Sequence, residues 1–354
     1  MSLDLNISHT PPPELIELLA NTVYGSNEGT RYQHTGVSEK LARLNNPTFI
    51  TIIKHNRLIG AVTFCQRNFE TSGADIKGLY VRYFSFFEAF RSKTASKKPG
   101  RANGPIKQKV RAMMERGLDE QTNNKAVFYA YVELENERSR KICNDFGFSP
   151  VRKLSTLLFS RFFPKKRPDV FRVSEDEKPA VRQLLQGFYT NYNMYKSDRL
   201  FTNDNYFVIK DGEDIVAGVQ ATPVRWIIRA MPGLSGKIIM NILPLLPFLS
   251  RLFNPKKHRF LACDQVFYKK GYEHLLDGLF ESVCAITGHY SAIFWADSRS
   301  PLYQGLSTHC KLGIMNKLKK DIPGDIVVNY NNIPKQEQEM FSQKPAYICS
   351  FDLT

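Results

Sequence analysis

Apolar positions recur three and four residues apart over 13–19 and again over 179–185, which predicts an amphipathic helix near the start of each half of the chain, the second preceded by a capping box from Ser174 to Glu177. The β-branched runs 49–53 and 58–64, joined by the short polar stretch 55–57, predict a hairpin. A second hairpin is predicted from 206–209 and 215–221, and each outgoing strand carries a glycine, Gly60 or Gly218. Both halves then offer a strand (76–86; 260–267), a helix (106–118; 272–287), a strand (126–134; 291–296) and a helix ending in glycine. Late strands are expected at 154–159 in one half and at 326–329 with 347–351 in the other. The same succession of elements twice over is an internal repeat, and its class is α/β (α+β).

A length of 354 residues fits two domains, and the proline-flanked charged segment 164–169 marks the boundary, giving 1–167 and 168–354. Lysine and arginine number 49 against 34 acidic residues, a net charge of +15 that calls for an anionic partner: phosphate, nucleic acid or lipid headgroup. More than half of the excess lies in 82–116, and the stretch from Arg152 to Arg167 is basic and free of acids. Six scattered cysteines without a CxxC pair suggest neither a zinc cluster nor a disulfide framework, so no metal is expected and a reducing compartment fits. The first residues lack a signal-peptide pattern and no apolar run is long enough to span a bilayer, from which a cytoplasmic protein is expected.

The sharpest chemical signal is Arg101-Ala102-Asn103-Gly104-Pro105-Ile106 opening the helix at 107–118, because a tight loop at a helix start presents free N–H groups and the positive dipole end to a pyrophosphate. The loop resembles the acyl-CoA loop of the GNAT acyltransferase superfamily, Q/R-x-x-G-x-G/A, with Arg101, Gly104 and Ile106 at the defining positions and Ile106 where a small residue is usual. Downstream, a strand through Glu133, Leu134 and Glu135 leads to Asn136, then Ser139, and a helix closing in Gly147-Phe148. This is similar to the family's second signature. The resemblance implies two tandem GNAT-like domains, each a mixed, mostly antiparallel sheet flanked by helices, and transfer of an acetyl or longer acyl group from acyl-CoA to an amine.

On that resemblance Arg101 to Ile106, with Asn136 and Arg140, would bind the cofactor, the loop and Arg140 at its phosphates, Arg140 being otherwise an exposed helix arginine. Cys143 takes the position of the family's proton-donating Tyr and is either that donor or packing. Glu133 or Glu135 would be the general base, according to which faces the cleft, and Tyr131 a proton donor, cleft lining or core. The second half resembles the family more faintly: Glu273 would repel a phosphate at its helix start, while Asp297, Tyr303 and His309 are the acceptor-site candidates. An apolar insertion at about 226–258, broken by Pro244 and Pro247, is read as a packed lid, a groove wall or an interfacial membrane anchor with basic flanks. The leading function is an N-acyltransferase whose first domain binds acyl-CoA and whose second shapes the acceptor site. The rival is an inactive scaffold using its basic surface for nucleic acid or anionic membrane, although no nucleic-acid-binding motif is present.

Overall fold

The computed structural model describes residues 3–26, 28–71, 76–86, 105–118, 125–319 and 323–354. The first half runs β1 (Leu3–Ser8), α1 (Pro13–Asn21), β2 (Arg31–His34), α2 (Val37–Ala42), β3 (Pro47–Lys54), β4 (Arg57–Asn68), β5 (Lys77–Phe86), α3 (Pro105–Glu115), β6 (Ala126–Glu133), α4 (Glu137–Asp145) and β7 (Ser149–Ser160). The second half begins β8 (Val170–Arg172), α5 (Lys178–Tyr189), β9 (Tyr206–Asp211), β10 (Asp214–Ala230), α6 (Gly233–Asn241) and α7 (Leu249–Leu252). It continues β11 (His258–Tyr268), α8 (Leu276–Thr287), β12 (Ser291–Asp297), α9 (Pro301–His309), α10 (Ile314–Leu318), β13 (Gly324–Asn331), α11 (Lys335–Gln343) and α12 (Ser350–Leu353).

Both predicted hairpins form with two-residue turns. His55 and Asn56 each take positive φ, as the type that matches strand twist requires, and Gly212 does so in the second. The strands join into one sheet in the order β1-β3-β4-β5-β6-β13-β7-β12-β11-β10-β9-β8, with β2 paired to β10. Among the named strands only β5 with β6 and β11 with β12 run parallel; their other pairings are antiparallel. The halves exchange elements: β13, late in the chain, lies between β6 and β7, and β7 lies against β12. The segment 164–169 falls in the connection between β7 and β8.

Alternation along the strands sends neighbours to opposite faces. Phe49, Cys65, Tyr80 and Tyr129 pack under α1 and α2, whereas Ile50, Phe64, Leu79 and Phe128 pack under α3 through Val110 and Met114. The expected strand at 347–351 is not one. Its chain makes an isolated bridge at Ala346, accepts no further ladder and ends in α12, because the polar groups there bond to side chains: Ser350 N–H and Oγ donate to Asp264. The insertion is also shorter than expected, since 226–230 continues β10 against β2 before α6 begins.

Candidate active site

Four residue pairs, Lys77↔Ala126 to Tyr80↔Tyr129, hold β5 and β6 together; beyond them the strands part. β5 carries on along β4 to the pairing Gly60↔Phe86, with a ladder irregularity near Tyr83, whose φ is 54°. β6 carries on along β13 to Gly324↔Glu133. Residues 130–133 therefore have a backbone edge toward β5 that no described strand covers. Such an edge accepts an extended ligand by main-chain hydrogen bonds.

Beneath the parting, on the α1 face, lies a buried ionic network. Asp352 takes Arg67 Nη2 at 2.7 Å on one oxygen and Lys196 Nζ at 2.7 Å on the other, which also lies 3.2 Å from the Tyr129 hydroxyl. Lys196 donates to Tyr129 at 2.9 Å, Tyr80 to the Asp352 carbonyl at 2.8 Å, and Arg82 to the carbonyls of Phe351 and Thr354. Burial would raise the Asp352 pKa, but the cations of Arg67 and Lys196 overrule it and hold the carboxyl well below its usual range. Burial, reinforced by the charge of Asp352, pushes the hydroxyls of Tyr80, Tyr129 and Tyr131 up, so all three keep their protons.

At the mouth of the parting Glu133 accepts from the Ser26 N–H at 3.2 Å. Tyr32 and His34 arrive on β2, and Gly36, at φ 63°, turns the chain so that Lys40 Nζ comes within 3.5 Å of His34 Nδ1. Burial, then the neighbouring Lys40 and Arg82 cations, lowers the His34 pKa well below its usual value and keeps the imidazole neutral. Burial and Arg82 lower Lys40 to about 7.

No family model and no curated protein sequence matches the chain. Solved structures do match over nearly its whole length. Saccharomyces cerevisiae N-myristoyltransferase with bound myristoyl-CoA is similar at TM-score 0.58 and 9% identity, covering 93% of this chain and 83% of that one. A GCN5-related N-acetyltransferase from Sphaerobacter thermophilus is similar at 0.51 and 10%, covering 93% and 96%. A conserved Enterococcus faecalis protein described as a probable N-acyltransferase is similar at 0.51 and 9%, covering 94% and 73%. The chain has the GNAT-type acyl-CoA N-acyltransferase fold.

Within that GNAT fold the sequence candidates distribute unevenly. Arg101, Ala102, Asn103 and Gly104 lie outside the described residues, and Pro105 and Ile106 are the first residues of α3. Glu133 ends β6 on the face of Tyr129 and Tyr131, with Tyr131 5.5 Å from Tyr80 ring to ring. Glu135 is exposed beyond the strand. Asn136 caps α4, its Oδ1 accepting from the Ser139 N–H at 3.1 Å, and exposed Arg140 donates to the Leu134 carbonyl at 3.2 Å. Cys143 packs on the opposite face, against the core that includes Phe128 and Ala130, where burial pushes its thiol up to about 11.

The second half has a matching parting, since β11 and β12 pair only from Leu261↔Ala292 to Cys263↔Phe294. There the gap is filled from within: Ala346, Tyr347 and Ile348 enter it among Tyr189, Tyr192, Asp264 and Asp297. Asp297 is fully buried, bonded to Arg152 at 2.6 Å and accepting from the Ala346 N–H at 2.9 Å. Tyr303 packs partly buried on the apolar core of the second half, and His309 is exposed in the last turn of α9. The structure thus brings Glu133 and Tyr131 together and keeps Asp297, Tyr303 and His309 apart from them. Sequence reasoning missed Arg67, Arg82, Lys196 and Asp352, and also His34 and Lys40. A lone acid near residue 350 gives no local sign of its partners; the only signal was cations at apolar strand positions, Arg67 and Arg82 among them.

Proposed function

We propose that the chain transfers an acyl group from acyl-CoA to an amine at the parting of β5 and β6. The carrying observation is the uncovered edge at 130–133, which sits between α3 on one face and a mouth lined by Glu133, Tyr32, His34 and Lys40 on the other. An extended pantetheine suits that edge, and residues 101–104 with the start of α3 would hold the phosphates. The match to a myristoyl-CoA-bound fold supports an acyl-CoA donor.

In this reading the amine nitrogen forms a bond to the thioester carbonyl carbon while Glu133, directly or through one water, takes its proton. The C–S bond then breaks and the electron pair leaves on the CoA sulfur. Cys143, on the far side of β6, is the candidate to protonate that thiolate. With its thiol at about 11 it keeps its proton at neutral pH. An ordinary thiolate has a conjugate acid near ~8.5 and is a competent leaving group unaided, so Cys143 contributes less than Glu133. The second half serves the acceptor: β10 carries β2, and with it Tyr32 and His34, to the mouth.

The test is release of free thiol from acetyl-CoA and from a long-chain acyl-CoA in the presence of amino acids, polyamines and N-terminal peptides. Amine-dependent release supports the reading. Tight acyl-CoA binding with no release for any amine leaves a CoA-binding scaffold in its place.

A further inference from the structure

The region between β10 and β11 is two-sided. Ile239, Leu252 and Phe253 turn inward and are buried with Trp226, Ile228 and Phe260. The outward side is apolar as well: Leu234 is 79%, Leu245 77% and Phe248 58% exposed, with Ile238, Ile242 and Leu246 also exposed. Phe163, from the connection after β7, is 63% exposed and its ring lies 6.0 Å from that of Phe248. Two separate segments of chain thus place large apolar side chains on one continuous face. Scattered exposed leucines need no explanation, whereas a contiguous patch marks a surface that is covered in use.

What covers it is indicated by the rim. Lys237, Arg251, Lys256 and Lys257 are exposed around the α6–α7 segment, and Lys165 and Lys166 flank Phe163. Arg161 does not count among them, being paired to Asp277 at 2.8 Å and Glu281 at 3.6 Å. No acidic residue occurs from 215 to 263 or from 152 to 168. Glu281, which accepts from the Lys165 N–H at 3.1 Å, is already engaged by Arg161, so a second copy of this face would set cation largely against cation. Apolar side chains ringed by lysines and arginines match instead the acyl and headgroup layers of an anionic bilayer. The segment is too short to cross one: among the described residues no helix is long and apolar enough to do so. Pro244 and Pro247 break it into short pieces, so it presents a blunt tip, from Ile242 to Phe248, rather than one long helix.

We propose that this face docks the protein on anionic phospholipid membranes, with Leu245, Phe248 and Phe163 entering the headgroup boundary and Lys237, Arg251, Lys256, Lys257, Lys165 and Lys166 meeting lipid phosphates. This stands independently of the acyl-transfer reading.

Co-sedimentation of the full chain with vesicles tests it, using phosphatidylcholine alone and phosphatidylcholine with about a third phosphatidylserine, at low and high salt. The chain is expected to bind the anionic vesicles, less so in high salt, and the neutral ones weakly. Leu245→Glu with Phe248→Glu, both at exposed positions, should cut binding at least about tenfold with unchanged circular dichroism and thermal midpoint. Lys256→Gln with Lys257→Gln should cut it by about fivefold per charge removed. Absence of binding to anionic vesicles overturns the proposal, as does full retention by the folded Leu245→Glu, Phe248→Glu variant. A dimer in solution that the same variant dissociates, without vesicle binding, also overturns it and assigns the face to a second copy.

Discussion

Arg67 and Asp352 stand 285 residues apart in the chain and 2.7 Å apart in the fold. Their ion pair fastens the final helical turn beneath the point where β5 and β6 separate, and Lys196 completes it from the second half. One buried carboxylate thus ties together both halves and the last residues described.

Asp352→Asn leaves two buried cations without their anion, and the expected cost is about 3–5 kcal/mol. The pH dependence follows from the depressed pKa. Between the ordinary Asp value of about 3.9 and the lower folded value the unfolded chain binds more protons, so the contribution is complete above about pH 4 and fades as pH falls further. Denaturant titrations of wild type and variant should show a gap that is wide at pH 7 and narrows below pH 4. Equal stabilities at pH 7 would contradict it.

Asp264 should behave in the opposite sense. Burial raises its pKa to about 6, against bonds from Ser350 and Cys349 that only partly offset it, and its Oδ1 has no hydrogen-bond partner. A carboxyl whose folded pKa is raised binds more protons folded than unfolded, so it loses stability as pH climbs from about 4 through 6. Asp264→Asn is therefore expected to be neutral or stabilising at pH 7, by up to about 3 kcal/mol, and to confer no gain at pH 4. Chemical denaturation at the two pH values reads this directly.

How much of this was legible beforehand depends on distance along the chain. The hairpins, α1, α5 and the strand–helix–strand run around α3 are local patterns, and they stand where periodicity put them. The exchange of β7 and β13 between halves is not local, since nothing in 324–331 says that its neighbours are β6 and β7. The segment 347–351 misled for the same reason. Its β-branched and aromatic residues read as a strand, but its backbone, with that of Ala346 just before it, is satisfied by Asp264, Asp297 and Asn193, which are distant in sequence. At the candidate site, alternation could pair Glu133 with Tyr131, while the network under them needed the fold to close first.

Glu133→Gln is expected to lower the rate of acyl transfer by about 10²–10⁴-fold with little change in acyl-CoA affinity, as loss of a general base does. Cys143→Ala should cost less than about tenfold, because its thiol, at about 11, is a weak acid toward a departing thiolate. Steady-state kinetics on both variants separate the roles. A larger loss from Cys143→Ala than from Glu133→Gln would reverse the assignment.

Lys40→Met removes an amine whose pKa burial and Arg82 have brought to about 7. Between that value and the ordinary lysine value of about 10.4 the unfolded chain binds the extra proton, so this residue adds stability as pH rises. The difference between wild type and Lys40→Met should move in favour of wild type from pH 7 to pH 10. A difference independent of pH would mean that Lys40 is fully charged in the fold.

The most direct test of the central claim is calorimetric titration of the whole chain with acetyl-CoA, a long-chain acyl-CoA and free CoA, at two salt concentrations. Saturable binding near one site per chain, lost in Gly104→Trp ahead of α3, is the expected result. No saturable binding of any of the three would contradict an acyl-CoA site at the parting of β5 and β6.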